Sequence, residues 1–322
     1  MTEIVKYSIR KAFAMEGVPE KVSTLGYAPS ENAFIPSKDE HYVFRKELIR
    51  EVTAFLKKPF GDALYVTGPT GSGKTSGITE IAARLFWPVQ QITANGRMEL
   101  TDLVGHHALV SPKPGEPPVM KFMYGPLAVA MKHGHILLIN EVDLADPAEL
   151  AGLNDVLEGR PLVIAQNGGE IIKPHPMFRV VVTGNSTGSG DATGRYQGVM
   201  MQNLAAMDRY RFIQVGYADE ATEMNILGRV APTLNEGLRK GMVKTANEIR
   251  KLFMGENGDD GHIGVTMSTR TLVRWAKLTL QFRGAPNTLK YALEQSLLIR
   301  ASKEEGEAIL RIAKDVFGDQ WR

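Results

Sequence analysis

The run Gly68-Pro69-Thr70-Gly71-Ser72-Gly73-Lys74-Thr75 sets a glycine at each end of a six-residue loop and follows the second with a lysine and a hydroxyl. This is the spacing G-x-x-x-x-G-K-[ST], and its chemistry is phosphate binding. Glycines let the backbone turn its N–H groups inward as an anion nest, and a helix starting at the lysine adds the positive end of its dipole. Lys74 can then reach the β- and γ-phosphates of a nucleotide, and the Thr75 hydroxyl can bind Mg²⁺. Further along, HILLINE (135–141) ends in Asn140-Glu141. A carboxylate at that strand end can polarise an attacking water, which makes Glu141 the candidate base. Asn140 offers Mg²⁺, through a bound water, a neutral oxygen in place of the carboxylate that a hard cation favours; Asp143 is a nearby charge that can compensate.

Three more residues complete the constellation. FRVVVTGN (178–185) ends in Asn185, a polar tip placed to orient the water near a γ-phosphate. Arg209 stands just before an apolar run, with Arg211 as its local rival; in a ring, an arginine here reaches the neighbouring subunit's nucleotide. Ser268 is a natural helix N-cap. It places Arg270 in a first turn, where a cation opposes the helix dipole unless a phosphate neutralises it. Arg274, one turn on, is a second candidate.

These residues need a scaffold that gathers them. Short apolar runs at ALYVTG (63–68), PVQQITA (88–94), HILLINE, FRVVVTGN and RYRFIQVGY (209–217) alternate with helical stretches. That alternation predicts an α/β fold with a five-stranded parallel sheet and helices on both faces. A helix over 43–57 carries apolar residues at 44, 48, 49, 52, 55 and 56, one face of a 3.6-residue period. Two insertions read as hairpins: a Pro/Gly-centred one over 108–123, and one around Asn167-Gly168, a strong turn signal. After residue 218 strand signals stop and helical ones follow. The expected organisation is an N-terminal leader over 1–40 that begins with a short helix (4–15), an α/β nucleotide-binding domain over 41–217, and a helical lid domain over 218–322.

Composition closes off other chemistries. The 322 residues are 43% hydrophobic and 23% charged, globular proportions, and their length suggests two domains. Cysteine is absent, so disulfides, thiol catalysis and cysteine-held metals are excluded. Lys+Arg 38 against Asp+Glu 36 leaves a formal charge of +2, which argues against a protein that coats nucleic acid. The longest apolar run, near Ile136–Ile139, is far short of the ~20 residues a membrane-spanning helix needs, so a cytoplasmic protein is expected. The pairs His106-His107 and His133-x-His135 lack the helical spacing with an acidic partner that marks a metalloprotease site.

In this order the elements resemble the AAA+ ATPases over residues 40–283, and the two hairpins narrow the likeness to the MoxR and chelatase branch. WPVQQITANGRMELTDLVG, IIKPHPMFRVVVTGNSTGSGDATGRYQGVMMQNLAAMDRYRF and MSTRTLVRWA are similar to the CobS-like ATPase subunits of cobaltochelatases. The resemblance implies a P-loop AAA+ αβα core with a helical lid. It also implies ATP binding and hydrolysis with Mg²⁺ in a homo-oligomeric, hexameric ring with ATP between subunits. By position it makes Lys74 and Thr75 the Walker A pair, Glu141 the Walker B glutamate, and Asn140 a departure from the usual Walker B aspartate. Asn185 becomes sensor 1, Arg209 the arginine finger acting in trans, and Arg270 sensor 2. It implies a protein partner with a von Willebrand A domain or of chelatase-subunit type, and an ordered loop over 184–198 near a ring interface or pore. A nucleic-acid-directed ATPase is the rival reading, weakened because the first hairpin offers only Lys113 and Lys121 against Glu116. A third is a nucleotide-gated scaffold whose turnover Asn140 has slowed.

Overall fold

Residues Ile4–Ser8 form a strand, β1, where the sequence predicts a helix. A four-residue helix α1 (Ile9–Ala12) follows, and β2 (Ser23–Tyr27) returns antiparallel to β1 with Ile4 opposite Tyr27. The helical spacing was misleading because β1 gains its ladder from a strand some way along the chain, a partner that no local period reports. The computed structural model describes residues 3–111, 113, 115–190, 198–255 and 263–321.

The chain then alternates as predicted. After α2 (Lys46–Lys57) come β3 (Ala63–Thr67), α3 (Lys74–Arg84), β4 (Val89–Thr93) and α4 (Leu100–Val104). The first hairpin is β5 (Gly105–Val110) with β6 (Val119–Tyr124), Leu109 opposite Met120. Helix α5 (Pro126–His133) leads to β7 (Ile136–Asn140), and the helix expected next is split into α6 (Pro147–Ala151) and α7 (Asn154–Leu157). The second hairpin is β8 (Leu162–Ile164) with β9 (Glu170–Ile172). Its turn passes through Gly168 and Gly169 at φ 65° and 75°, backbone that the Asn-Gly signal anticipates. Then follow β10 (Arg179–Gly184), α8 (Leu204–Met207) and β11 (Tyr210–Gln214).

The five long strands make one parallel sheet in the order β11-β3-β10-β7-β4. Every residue of β3, β7 and β10 is buried, as expected for central strands covered on both faces. Register places Gly184 beside Thr67, and Asn140 beside Thr93, so the functional tips collect at the carboxyl ends of the strands. In open α/β sheets that edge is where ligands bind. The core beneath it gathers Tyr65, Leu127, Leu137, Ile139 and Val182, all fully buried.

By contacts the chain forms two units. The first is Met1–Lys38, Lys46–Gly68 and Lys74–Val215; the second is Asp39–Arg45, Pro69–Gly73 and Gly216–Arg322. The second contains α9 (Glu220–Val230), α10 (Glu236–Met254), α11 (Thr269–Gln281), α12 (Thr288–Ser296) and α13 (Lys303–Phe317). They pack around Trp275, Met242, Ala246, Ile249 and Leu293. Residues 191–197 of the expected pore-side loop, and residues 256–262, lie outside the described residues.

Candidate active site

In the first unit, Gly68 ends β3 and sits so close to Val215 that a Cβ would lie 2.1 Å from its carbonyl oxygen. Only glycine lets the chain leave the sheet there. Lys74 opens α3, and its ammonium donates to the Gly68 carbonyl (2.6 Å) and to Asn185 Oδ1 (2.9 Å). The phosphate-loop lysine and the tip of β10 thus converge on one spot. Beside them Thr75 Oγ1 donates to Asn140 Oδ1 at 2.6 Å, and Thr183 Oγ1 reaches the same oxygen at 3.3 Å. Thr75 and Asn140 are the oxygen pair suited to a hard cation.

Glu141 is exposed at the end of β7, with φ 54° and ψ 41°. The left-handed region is strained for a side chain of this kind, by about 1–2 kcal/mol. Its backbone N–H donates to Thr183 Oγ1 (3.3 Å), while its carboxylate bonds to no other described residue. A carboxylate with open lone pairs at this edge can accept a proton from water. Asp143, which the sequence offered as a compensating charge, has another task. It is fully buried, and its Oδ2 accepts from the backbone N–H groups of Asn185 (2.7 Å) and Ser186 (3.0 Å). Its Oδ1 has no partner among the described residues. Burial and the Asp143 charge together keep the Tyr65 phenol protonated far above its ordinary range.

Arg209 is tied down within its own chain. Its guanidinium donates to Glu158 Oε1 (2.9 Å from Nε) and to the Ala205 carbonyl. Glu158 is held below the usual carboxylate range, first by that hydrogen bond and then by the charges of Arg160 and Arg209. The rival Arg211 pairs with Glu51 at 2.8 Å. Neither arginine is a free cation in the single chain.

In the second unit, the loop crest Pro69–Gly73 packs on the start of α11. Gly71 has φ +69°, and a Cβ there would lie 2.4 Å from that of Ser268. Ser268 caps α11 by accepting from Thr271 N, as its sequence position suggests. Ser72 Oγ is buried in the crest without a partner among the described residues. Arg45 donates to the Ser72 carbonyl (2.8 Å) and the Gly216 carbonyl (2.8 Å), clamping the crest to the chain that enters α9. Behind α11 lies a buried ion pair, Arg250 with Glu223 at 2.7 and 2.8 Å; Glu223 also accepts from Thr269 Oγ1 (2.8 Å). Arg250 donates to Met267 O (2.7 Å) and lies 4.5 Å over the Tyr217 ring. These contacts fix the helix start that carries Arg270. Arg270 and Arg274 are both exposed and bond to no other described residue.

Arg45, Glu158, Glu223 and Arg250 escaped the sequence reading. Only the last two carried a signal, a charge on the apolar stripe of an amphipathic helix. Among the described residues no group of His, Asp or Glu is arranged to hold a metal by itself, and no helix is long and apolar enough to cross a membrane.

Two family models match the chain: an AAA domain of the dynein-related subfamily over residues 63–195, and the CbbQ/NirQ/NorQ C-terminal domain over 223–316. The aerobic cobaltochelatase subunit CobS of a Sinorhizobium species is 31% identical over 276 residues, covering 84% of this chain and 79% of that one. An uncharacterized protein of Staphylococcus haemolyticus is 28% identical over 189 residues, covering 59% and 68%. Among solved structures, a Pro-to-Gly mutant of RuvB from Thermotoga maritima shares the fold with TM-score 0.50 at 14% identity, covering 86% of this chain and 78% of that one. On these matches the chain belongs to the CobS- and MoxR-type AAA+ ATPases, and its reaction is ATP hydrolysis.

Proposed function

We propose that the chain is a ring-forming motor that spends ATP, with Mg²⁺, on remodelling or activating a protein partner. The observation that carries this reading is the meeting of Lys74 Nζ and Asn185 Oδ1 at 2.9 Å, with the exposed Glu141 at the end of β7, the strand beside β10. The residues present fit the nucleotide. Ser72 Oγ is an orphaned polar atom in the crest, and Thr75 and Asn140 present paired oxygens. Mg²⁺ would sit with Thr75 and, through water, Asn140, and would supply charge neutralisation at the phosphates. Gly68, Gly71, Gly73 and Lys74 cradle the phosphates, with Pro69, Thr70 and Ser72 shaping the loop. Glu141 takes the proton of the attacking water, and Asn185 orients that water. Arg270 serves as sensor 2, and Arg209 as the finger offered to a neighbouring subunit once it leaves Glu158. In domain terms, 41–217 carries the nucleotide and 218–322 acts as its lid.

A homo-oligomeric ring, hexameric in this branch, supplies Arg209 with a target. A relative that is a cobaltochelatase subunit supports a chelatase-type partner, and the family resemblance adds a von Willebrand A protein as the other candidate. The deciding experiment is steady-state phosphate release with and without such a partner, on wild type and on Glu141→Gln. The variant should lose turnover and keep ATP affinity. An equal zero rate in both proteins would leave a nucleotide-gated scaffold instead of a motor.

A further inference from the structure

At the amino ends of β4 and β7, the opposite edge of the sheet from Lys74 and Glu141, the first unit forms a half-open cavity of about 430 Å³. That volume is in the range of small-molecule sites, ~300–1,000 Å³. Its walls are bonded into place. Val89 N donates to Phe34 O at 2.8 Å, and Trp87 Nε1 and the Tyr27 hydroxyl both donate to Gly134 O, at 3.0 and 2.9 Å. Gly134 has φ +76°, and a Cβ there would lie 2.3 Å from His175 Nδ1 and 2.4 Å from the Tyr27 hydroxyl oxygen. The close approach of those two side chains therefore requires the glycine.

Three imidazoles line this cavity, His133, His135 and His175, together with Lys132. None of the lining residues is a carboxylate. The hydrogen bonds fix which ring nitrogens carry protons. Met177 N–H donates to His175 Nδ1 at 3.1 Å, so in the neutral ring the proton sits on Nε2. His135 Nδ1 faces the Gln90 amide nitrogen at 3.0 Å and likewise accepts, which leaves Nε2–H as its donor. His135 is 7% exposed, and its Nε2–H has no partner among the described residues. Phe34, 5.9 Å from the His135 ring between centroids, and Phe86 add flat apolar walls. Lys38 lies 4.4 Å over the Phe86 ring, and Lys132 reaches Glu170 at 3.3 Å.

This tautomer pattern separates two readings. A metal-binding imidazole presents a bare nitrogen to the ion and donates through its other N–H. His175 does the reverse: its Nδ1 lone pair is spent on a backbone N–H. The N–H donors of His135 and His175, a lysine whose ammonium also pairs with Glu170, and a lining without a carboxylate suit an anion. We propose that it binds a small organic anion, a carboxylate or phosphate carried on a flat body that lies against Phe34 and Phe86.

The test uses the full chain saturated with ADP, so that the phosphate loop is already filled. Phenyl phosphate, benzoate, inorganic phosphate and Zn²⁺ are titrated by calorimetry. Phenyl phosphate or benzoate should bind at one site per chain, and inorganic phosphate, without the flat body, roughly tenfold more weakly. His133→Ala and His135→Gln should each weaken phenyl phosphate by roughly tenfold, the loss of one hydrogen bond to a charged group. His133→Ala should keep wild-type ATP turnover, which shows that it is folded. No saturable binding of either aromatic anion overturns the proposal, as does binding that both variants leave unchanged. Zn²⁺ binding that the same variants abolish, with no anion binding, overturns it in favour of a metal site.

Discussion

Asn185 is held from behind by a single carboxylate, and removing it separates positioning from binding. Asp143 accepts two backbone N–H groups through Oδ2, at 2.7 and 3.0 Å, and no part of it is exposed. Asp143→Ala leaves both N–H groups without an acceptor. Hydrogen bonds to a charged group are worth ~1.5–3 kcal/mol each, so the gross loss is ~3–6 kcal/mol. Relief of burying a charge offsets part of it, which leaves about 3 kcal/mol. At roughly 2–4 °C per kcal/mol for a domain of this size, Tm should fall by roughly 6–12 °C. The hydrogen bonds of Asp143 go to the backbone of Asn185 and Ser186, so ATP affinity should hold. The sensor tip, freed to shift by an ångström, should cost on the order of 10²-fold in kcat. Asp143→Asn keeps an acceptor oxygen of neutral strength, so both losses should be roughly halved on a free-energy scale. Scanning fluorimetry, phosphate release and nucleotide titration read the three quantities. Wild-type Tm and kcat in Asp143→Ala would refute the reasoning. A drop in affinity matching the drop in kcat would move the effect into the phosphate loop.

Arg209→Ala should abolish ATP turnover and spare ATP binding, whereas Glu158→Gln, which loosens Arg209 from its ion pair, should keep turnover at or above wild type. Normal turnover in Arg209→Ala, measured by phosphate release, sinks the finger assignment. Glu223→Ala strands the buried Arg250 charge and should destabilise the helical unit by ~3–5 kcal/mol in urea unfolding, while Glu223→Ala with Arg250→Met should recover much of that. Burial, then the charges of His133 and His175, push His135 down to about 4 from 6.5. Between those pH values the unfolded chain takes up a proton that the folded chain refuses. Stability should therefore fall as pH drops from about 6.5 to about 4, by about 3 kcal/mol in full, and His135→Gln should flatten that stretch of the Tm–pH curve. An unchanged slope in the variant counts against it.

What the sequence made legible was whatever repeats a local pattern. The five sheet strands and both hairpins fall where apolar runs and turn residues place them, because burial on both faces leaves no other reading of ALYVT or ILLIN. β1 was missed because its partner is β2, whose ladder no neighbouring residue announces. Arg45, which bonds two carbonyls far apart in sequence, was invisible for the same reason. Asn140 shows the limit most clearly. In the sequence it looks like a loss, a neutral amide at a position that wants a charge. In the structure its Oδ1 is filled by the hydroxyls of Thr75 and Thr183, and the buried negative charge lies three residues on, at Asp143. A second buried carboxylate at this strand end would be repelled by the first and would cost desolvation of its own. The amide keeps the hydroxyl contacts to α3 and β10 without that penalty, and Asp143 keeps the charge where it orders Asn185. With the amide at Asn140, the carboxylate of this strand end lies instead behind Asn185, at Asp143.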